Sequence, residues 1–136
     1  MPYKILEHTA DIRIRLSAKT LEELFQTALE VMAEILFPGI LKTKTNIRNK
    51  EIITIEAPDS TTLLIDFLND VLSHSYINKA VYFKVKFTKL SQTSLTAEVK
   101  GIFVEEFKED IKAATFHEAE IKKTKGLYET NLIFDI

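Results

Sequence analysis

Apolar and polar residues follow two different periods in the first half of the chain. Apolar side chains alternate with arginines over residues 12–16, and this period of two predicts a strand. A shorter strand is predicted at residues 3–6. From residue 21 to residue 36, apolar side chains recur every three to four positions, which is typical of an amphipathic helix. Thr20 and Glu23 predict a capping box at its start, and a proline-glycine pair follows its end.

The second half repeats the strand-then-helix order and then continues as strands. The later patterns alternate with a period of two around short polar turns, which predicts hairpins. The predicted elements are a strand at 52–56, a helix from Asp59 or Ser60 to Asn78, a hairpin of strands at 81–87 and 95–99, and a last pair of strands at 116–122 and 127–135.

The order ββαβα followed by antiparallel strands predicts the α+β class. We expect a single two-layer domain over residues 1–136, with two amphipathic helices packed on a mostly antiparallel β-sheet. A length of 136 residues with 46% hydrophobic composition is sufficient for one well-buried core.

Composition excludes several classes of function. The net charge of −2 argues against nucleic-acid binding through bulk positive charge, and the absence of cysteine excludes thiolate metal sites, cysteine nucleophiles and disulfides. No apolar run is long enough to span a bilayer, and no secretory leader is recognisable at the start. We therefore expect a soluble, cytoplasmic protein with no membrane association.

Two aspartates at strand boundaries are the first candidates for chemistry. Asp11 precedes the 12–16 strand and Asp135 closes the 127–135 strand. If the fold brings them together, they make an all-oxygen site suited to a hard cation. Asp11 is in phase with Arg13 and Arg15, on the face opposite the apolar residues, so arginine side chains would compete with a cation there. Carboxylates at strand ends are also common as ordinary solvated groups.

The histidines allow a different metal. His8, Asp11 and His117 could form a set of two histidines and a carboxylate suited to zinc. No HxH or HExxH spacing supports this, so we favour the interpretation that each histidine hydrogen-bonds backbone and orients its loop. Glu7 is equally compatible with support of a bound cation and with an ordinary surface position.

Three short segments carry a family resemblance. The Glu-His-Thr-Ala-Asp segment at 7–11, the Lys-Ala-Ala-Thr-Phe-His segment at 112–117 and the closing Phe-Asp-Ile at 134–136 resemble signature segments of the archease family. The two helical patterns, with Leu-Glu-Glu-Leu-Phe at 21–25 and Leu-Leu at 63–64, also resemble helices of that family. The resemblance runs in order over nearly the whole chain.

The resemblance implies a metal site and a partner. In archease the aspartates of the first and last segments, and the residue after the latter, bind calcium. These correspond to Asp11, Asp135 and Ile136, and Ile136 could supply only a main-chain or terminal oxygen. Glu7, His8 and His117 could support these ligands through hydrogen bonds.

Archease proteins assist the RtcB-type RNA ligase of tRNA splicing and RNA end sealing. They promote guanylylation of the ligase and multiple turnover. The resemblance therefore implies a non-catalytic activator that uses Ca²⁺, with direct RNA contact left open. The alternatives are a small metal-dependent hydrolase using Asp11, Asp135 and a histidine, and a binding module that uses no metal.

Overall fold

The structure, a computed structural model, describes residues 11–136. The predicted strand at 3–6 and the candidates Glu7 and His8 lie outside the described residues. The elements in chain order are β1 (Asp11–Ala18), α1 (Leu21–Leu36), a short 3₁₀ helix (Ile40–Lys42), β2 (Asn49–Glu56), α2 (Ser60–Asn78), β3 (Ala80–Leu90), β4 (Ser94–Phe103), β5 (Ala113–Thr115), β6 (Lys122–Thr124) and β7 (Leu127–Asp135).

Both helices begin at the residues that the sequence indicates. The Thr20 hydroxyl accepts a hydrogen bond from the Glu23 N–H at 3.1 Å, and the Glu23 carboxylate accepts one from the Lys19 N–H at 3.4 Å. Of the two candidates for the second cap, Asp59 is the one that acts, because its carboxylate accepts from the Thr62 N–H at 2.7 Å. These side chains satisfy N–H groups that have no partner within the first turn of a helix.

The strands form two antiparallel sheets, whereas the hydrophobic pattern predicts one. Sheet one has the order β1-β7-β5, and β6 also pairs with β7. Sheet two has the order β2-β4-β3. Both helices contact strands of both sheets. The α+β class with mostly antiparallel strands is confirmed. Each sheet is built around one central strand, β4 or β7, and no strand pair joins the two sheets within residues 11–136.

The prediction of a strand over residues 116–122 is wrong. The chain pairs with β7 through β5 before this segment and through β6 from Lys122 onward, but residues 116–121 form no strand. Between them Glu118 adopts a left-handed conformation with φ of 60°, which interrupts an extended chain. Side chains replace the ladder: the Thr130 hydroxyl donates to the Ala119 carbonyl at 2.6 Å, and the Ile121 N–H donates to the Thr61 hydroxyl at 2.9 Å.

Aromatic rings join the helices to sheet two at the centre of the core. Phe25 of α1 and Phe67 of α2 lie with ring centroids 6.0 Å apart, and each lies about as far from Phe87 of β3. Asn69 fixes α2 to sheet one, because its side-chain amide donates to the Ala114 carbonyl and accepts from the Ala114 N–H, at 2.9 and 2.8 Å. These two hydrogen bonds hold β5 of sheet one against α2.

Within residues 11–136, neither helix has the length and apolar content needed to cross a membrane.

Candidate functional site

Strand pairing brings the two predicted aspartates together. β1 and β7 run antiparallel in a register that places Asp11 directly opposite Asp135. Residues directly opposite one another project from the same face of a sheet, with Cβ atoms about 4.5–5.5 Å apart. Two carboxylates from the two ends of the chain therefore lie side by side on the outer face of sheet one.

The third signature segment lies on the other side of Asp135. β5 pairs with β7 so that Ala113 is opposite Asp135, and the Lys112 N–H donates to the Asp135 carbonyl at 2.7 Å. The end of β7 is thus held between β1 and β5. Ile136, the other predicted ligand, follows directly and is partly buried. All the described parts of the three segments meet at one end of sheet one.

Thr115 adds a hydroxyl group to this end of the sheet. It is opposite Ile133, two residues along each strand from the Ala113–Asp135 pair, so it projects from the same face as Asp135. Its hydroxyl oxygen is buried and has no hydrogen-bond partner among the described residues. Thr115 therefore adds a neutral oxygen donor to the same face as the two aspartates.

Arg13 lies beside Asp11, as the alternation of side chains along β1 predicts. Its Nε lies 3.3 Å from Asp11 Oδ1 and its Nη2 lies 3.5 Å from Oδ2. The hydrogen bond and the negative charge of Asp11 raise the pKa of Arg13 above its already high ordinary value. Arg13 therefore stays positively charged and competes with any cation for Asp11.

Glu118 extends this arrangement to His117. Its Oε2 lies 3.5 Å from Arg13 Nη1, and its Oε1 lies 3.7 Å from His117 Nε2. We call Asp11, Arg13, Glu118 and His117 the Arg13 network. His117 is connected to Asp11 through two intervening side chains. Sequence reasoning missed Glu118, and only its position directly after the 112–117 segment could have indicated it.

The donor set limits the choice of metal. No group of three or more histidines, aspartates and glutamates is arranged to hold a metal within residues 11–136. The zinc and hydrolase interpretations both need a histidine beside the aspartates, but His117 contacts Glu118 instead. His8 lies outside the described part of the chain. The residues brought together by the sheet are oxygen donors, which suit a hard cation.

The sequence model of the Archease protein family (MTH1598/TM1083) matches residues 3–136. This chain belongs to the archease family. It is 27% identical over 142 residues to Protein archease of Methanosarcina mazei, with 98% of this chain and 95% of that protein covered. It is 35% identical over 139 residues to the archease of Pyrococcus furiosus, covering 96% of this chain and 95% of that protein.

Solved archease structures have the same fold. The crystal structure of an archease from Thermotoga maritima, described as a possible chaperone, matches with a TM-score of 0.72 at 21% identity, over 100% of this chain and 98% of that one. The solution structure of protein 1598 of Methanobacterium thermoautotrophicum matches with a TM-score of 0.70 at 27% identity, over 96% of each chain. The two-helix, two-sheet architecture is therefore shared with these proteins.

Proposed function

We propose that this archease-family protein is a non-catalytic activator of an RtcB-type RNA ligase in tRNA splicing and RNA end sealing. In this proposal the protein acts through Ca²⁺ held by Asp11 and Asp135, and it promotes guanylylation and multiple turnover of the ligase. The observation that carries the proposal is the direct cross-strand pairing of these two aspartates. Family membership supports an accessory role.

The chemistry of the pair suits Ca²⁺. Carboxylates placed directly opposite one another repel, and a cation between them relieves this repulsion. Asp11 and Asp135 would hold the ion, with a main-chain oxygen of Ile136 as a further donor. Ca²⁺ takes about six to eight oxygens, so water or groups of a partner must complete the shell. When bound, the ion would supply positive charge and exchangeable coordination positions at the protein surface.

The Arg13 network accommodates the arrival of a cation. The guanidinium of Arg13 contacts Asp11 and Glu118 with different nitrogen atoms. If Asp11 turns to a cation, Arg13 keeps Glu118 as its partner, so no charge is left isolated. Ion pairs exposed to solvent are weak, so the Arg13–Asp11 contact is easily exchanged. Glu118 thus makes the site available without unfolding any element.

A ligase assay tests the proposal. The ligase is kept substoichiometric to RNA, and ligation is followed over many turnovers with and without this protein. Guanylylation of the ligase is measured separately, without RNA. We expect the wild-type protein to increase both, and Asp11→Asn or Asp135→Asn to abolish the increase.

Glu56→Gln is the matched control, because it removes one exposed carboxylate at the end of β2, in the other sheet. It should stimulate the ligase as the wild type does. Full stimulation by both aspartate variants would refute the role of the carboxylates. Absence of stimulation by the wild-type protein would refute the partnership itself.

A further inference from the structure

The outer face of sheet two carries a row of lysines across its three strands. Lys50 of β2 and Lys84 of β3 are both register partners of Lys100 on the central strand β4. Directly opposite residues share a face, so the three ammonium groups project side by side across the sheet. Lys86 and Lys89 continue the positive charge along β3, opposite Glu98 and Thr96. We call these five lysines the lysine face.

The positive charge of the lysine face is only partly neutralised. Within residues 11–136, the ion pairs on it are those of Glu98 with Lys50 at 3.9 Å and with Lys100 at 3.5 Å. The three lysines of β3 are exposed. Like charges placed directly opposite one another destabilise a sheet. The chain as a whole carries a net charge of −2, so the excess of positive charge on this face is local.

The chemistry of the face favours a phosphate backbone as its occupant. Side chains two residues apart on a strand are separated by about 6.6 Å, so the lysines form a ladder of point charges along and across the sheet. The large apolar side chain exposed on this face is Ile52, at 58% exposure, and its neighbours are polar. The face can therefore hold charge, but within residues 11–136 it offers no aromatic side chain on which bases could stack.

Acidic residues of α1 mark the boundary of the face. Glu22 lines a groove beside Lys89, and Glu30 lines one beside Lys84, at the edge strand β3. A polyanion is thus attracted to the flat surface of the sheet and repelled at this edge. This charge arrangement suits a single extended strand better than a broad anionic surface.

We propose that the lysine face binds the phosphate backbone of RNA, independently of sequence. The choice of RNA among polyanions rests on the proposed function, in which the partner acts on RNA. The face lies on a different sheet from the Asp11–Asp135 pair, so one protein can hold RNA and its proposed cation at separate sites.

Fluorescence anisotropy with a labelled, mixed-sequence, single-stranded RNA of about 20 nucleotides tests the proposal without the ligase. We expect binding at 50 mM salt that weakens at 200 mM. For single strands, the slope of log K against log salt is roughly −0.7 per phosphate contact. The combined variant Lys84→Gln, Lys86→Gln, Lys89→Gln should weaken binding at least tenfold and make that slope shallower by about 2.

The control variant carries Lys112→Gln, Lys123→Gln and Lys125→Gln, which change the net charge equally but lie outside sheet two. It should bind RNA within about twofold of the wild type if location matters more than net charge. No binding by the wild type at 50 mM salt, or equal losses in both triple variants, would overturn the proposal. Binding to anionic phospholipid vesicles without binding to RNA would also overturn it.

Guanylylation of the ligase in the absence of RNA separates this inference from the proposed function. The β3 triple variant should stimulate guanylylation fully although it has lost RNA binding. Loss of stimulation by Asp11→Asn with RNA binding retained would support both assignments. If the wild type binds RNA but does not stimulate the ligase, the RNA-binding role of the lysine face is supported and the proposed function is refuted.

Discussion

Charged side chains are paired with opposite charges on the outer face of sheet one, but like charges lie opposite one another on the outer face of sheet two. On sheet one the arginines have acidic neighbours: Arg13 lies between Asp11 and Glu118, and Arg15 lies 3.7 Å from Glu129. On sheet two, lysines lie opposite lysines and share one glutamate. Both sheets have the same antiparallel geometry, so pairing alone does not decide whether charges are matched. The outer faces are free to differ because the apolar cluster that joins the strands to the helices lies mainly on the inner faces.

The inner faces, in contrast, are alike. β4 buries Leu95, Ala97 and Val99, and β7 buries Leu132 and Phe134, in one continuous apolar cluster with the helices. Burial of such side chains supplies most of the stability of a domain of this size. Changes on the inner faces should therefore destabilise the protein, and changes of exposed side chains on the outer faces should mainly alter binding.

The largest effect is expected from Phe25→Ala. Phe25 is fully buried and contacts the rings of Phe67 and Phe87, so its loss leaves a cavity where α1, α2 and β3 meet. The free energy of unfolding, measured by urea denaturation, should fall by about 3–5 kcal/mol. Phe103 is 59% exposed and provides the control: Phe103→Ala should cost less than about 0.5 kcal/mol. Equal costs for the two variants would contradict the assignment of the core.

Gly101→Ala should have the next largest effect, and it acts on sheet two. A Cβ atom at this position would overlap the carbonyl oxygen of Val81 and lie 2.7 Å from the Cα of Tyr82. These are backbone atoms of the paired strand β3, so the strands must separate. We expect a loss of about 1–3 kcal/mol in the free energy of unfolding. Stability equal to that of the wild type would show that β3 and β4 are less closely paired than described.

The helices could be predicted because their signals are local. Thr20 and Asp59 cap turns that begin one residue later, and the apolar stripes between residues 21 and 78 are each contained in one element. The position of Asp11 beside Arg13 was likewise visible, because it depends only on the period of one strand. Local spacing was therefore sufficient for both helices and for one half of the site.

Features that depend on distant pairing could not be predicted from local spacing, and the meeting of Asp11 and Asp135 was expected only from the family resemblance. The division into two sheets depends on which strand β4 and β7 each select as a second partner. The failed strand at 116–122 depends on hydrogen bonds with the side chains of Thr130, on β7, and of Thr61, which is distant in the sequence. The same segment places Glu118 beside Arg13, so the part of the site that was missed has the same cause as the error in the fold.

Loss of Ca²⁺ binding without loss of stability is expected for the aspartate pair. Asp11→Asn and Asp135→Asn each remove one charge of the proposed site, and each should weaken Ca²⁺ binding at least tenfold in isothermal titration calorimetry. Asp135→Asn also removes the repulsion between the opposed carboxylates, so stability should change by no more than about 0.5 kcal/mol. Excess EGTA should leave the wild-type protein folded. Unfolding by EGTA would show that the ion is structural and would contradict the separation of core from outer face.

The smallest expected effect is on Ca²⁺ affinity, and it distinguishes a local effect of Arg13 from an effect of net charge. Arg13→Gln removes the guanidinium group that pairs with Asp11. Ca²⁺ should then bind about two- to fivefold more tightly, which is the range expected for loss of an exposed ion pair. Arg15→Gln makes the same change in net charge two residues along β1, where the partner is Glu129, and should change the affinity less. Calorimetry at 0.15 M salt, where the screening length is about 8 Å, limits the long-range contribution. Equal effects of the two variants would show that only net charge matters. Weaker binding by Arg13→Gln would show that Arg13 holds Asp11 in place for the ion, not that it competes with it.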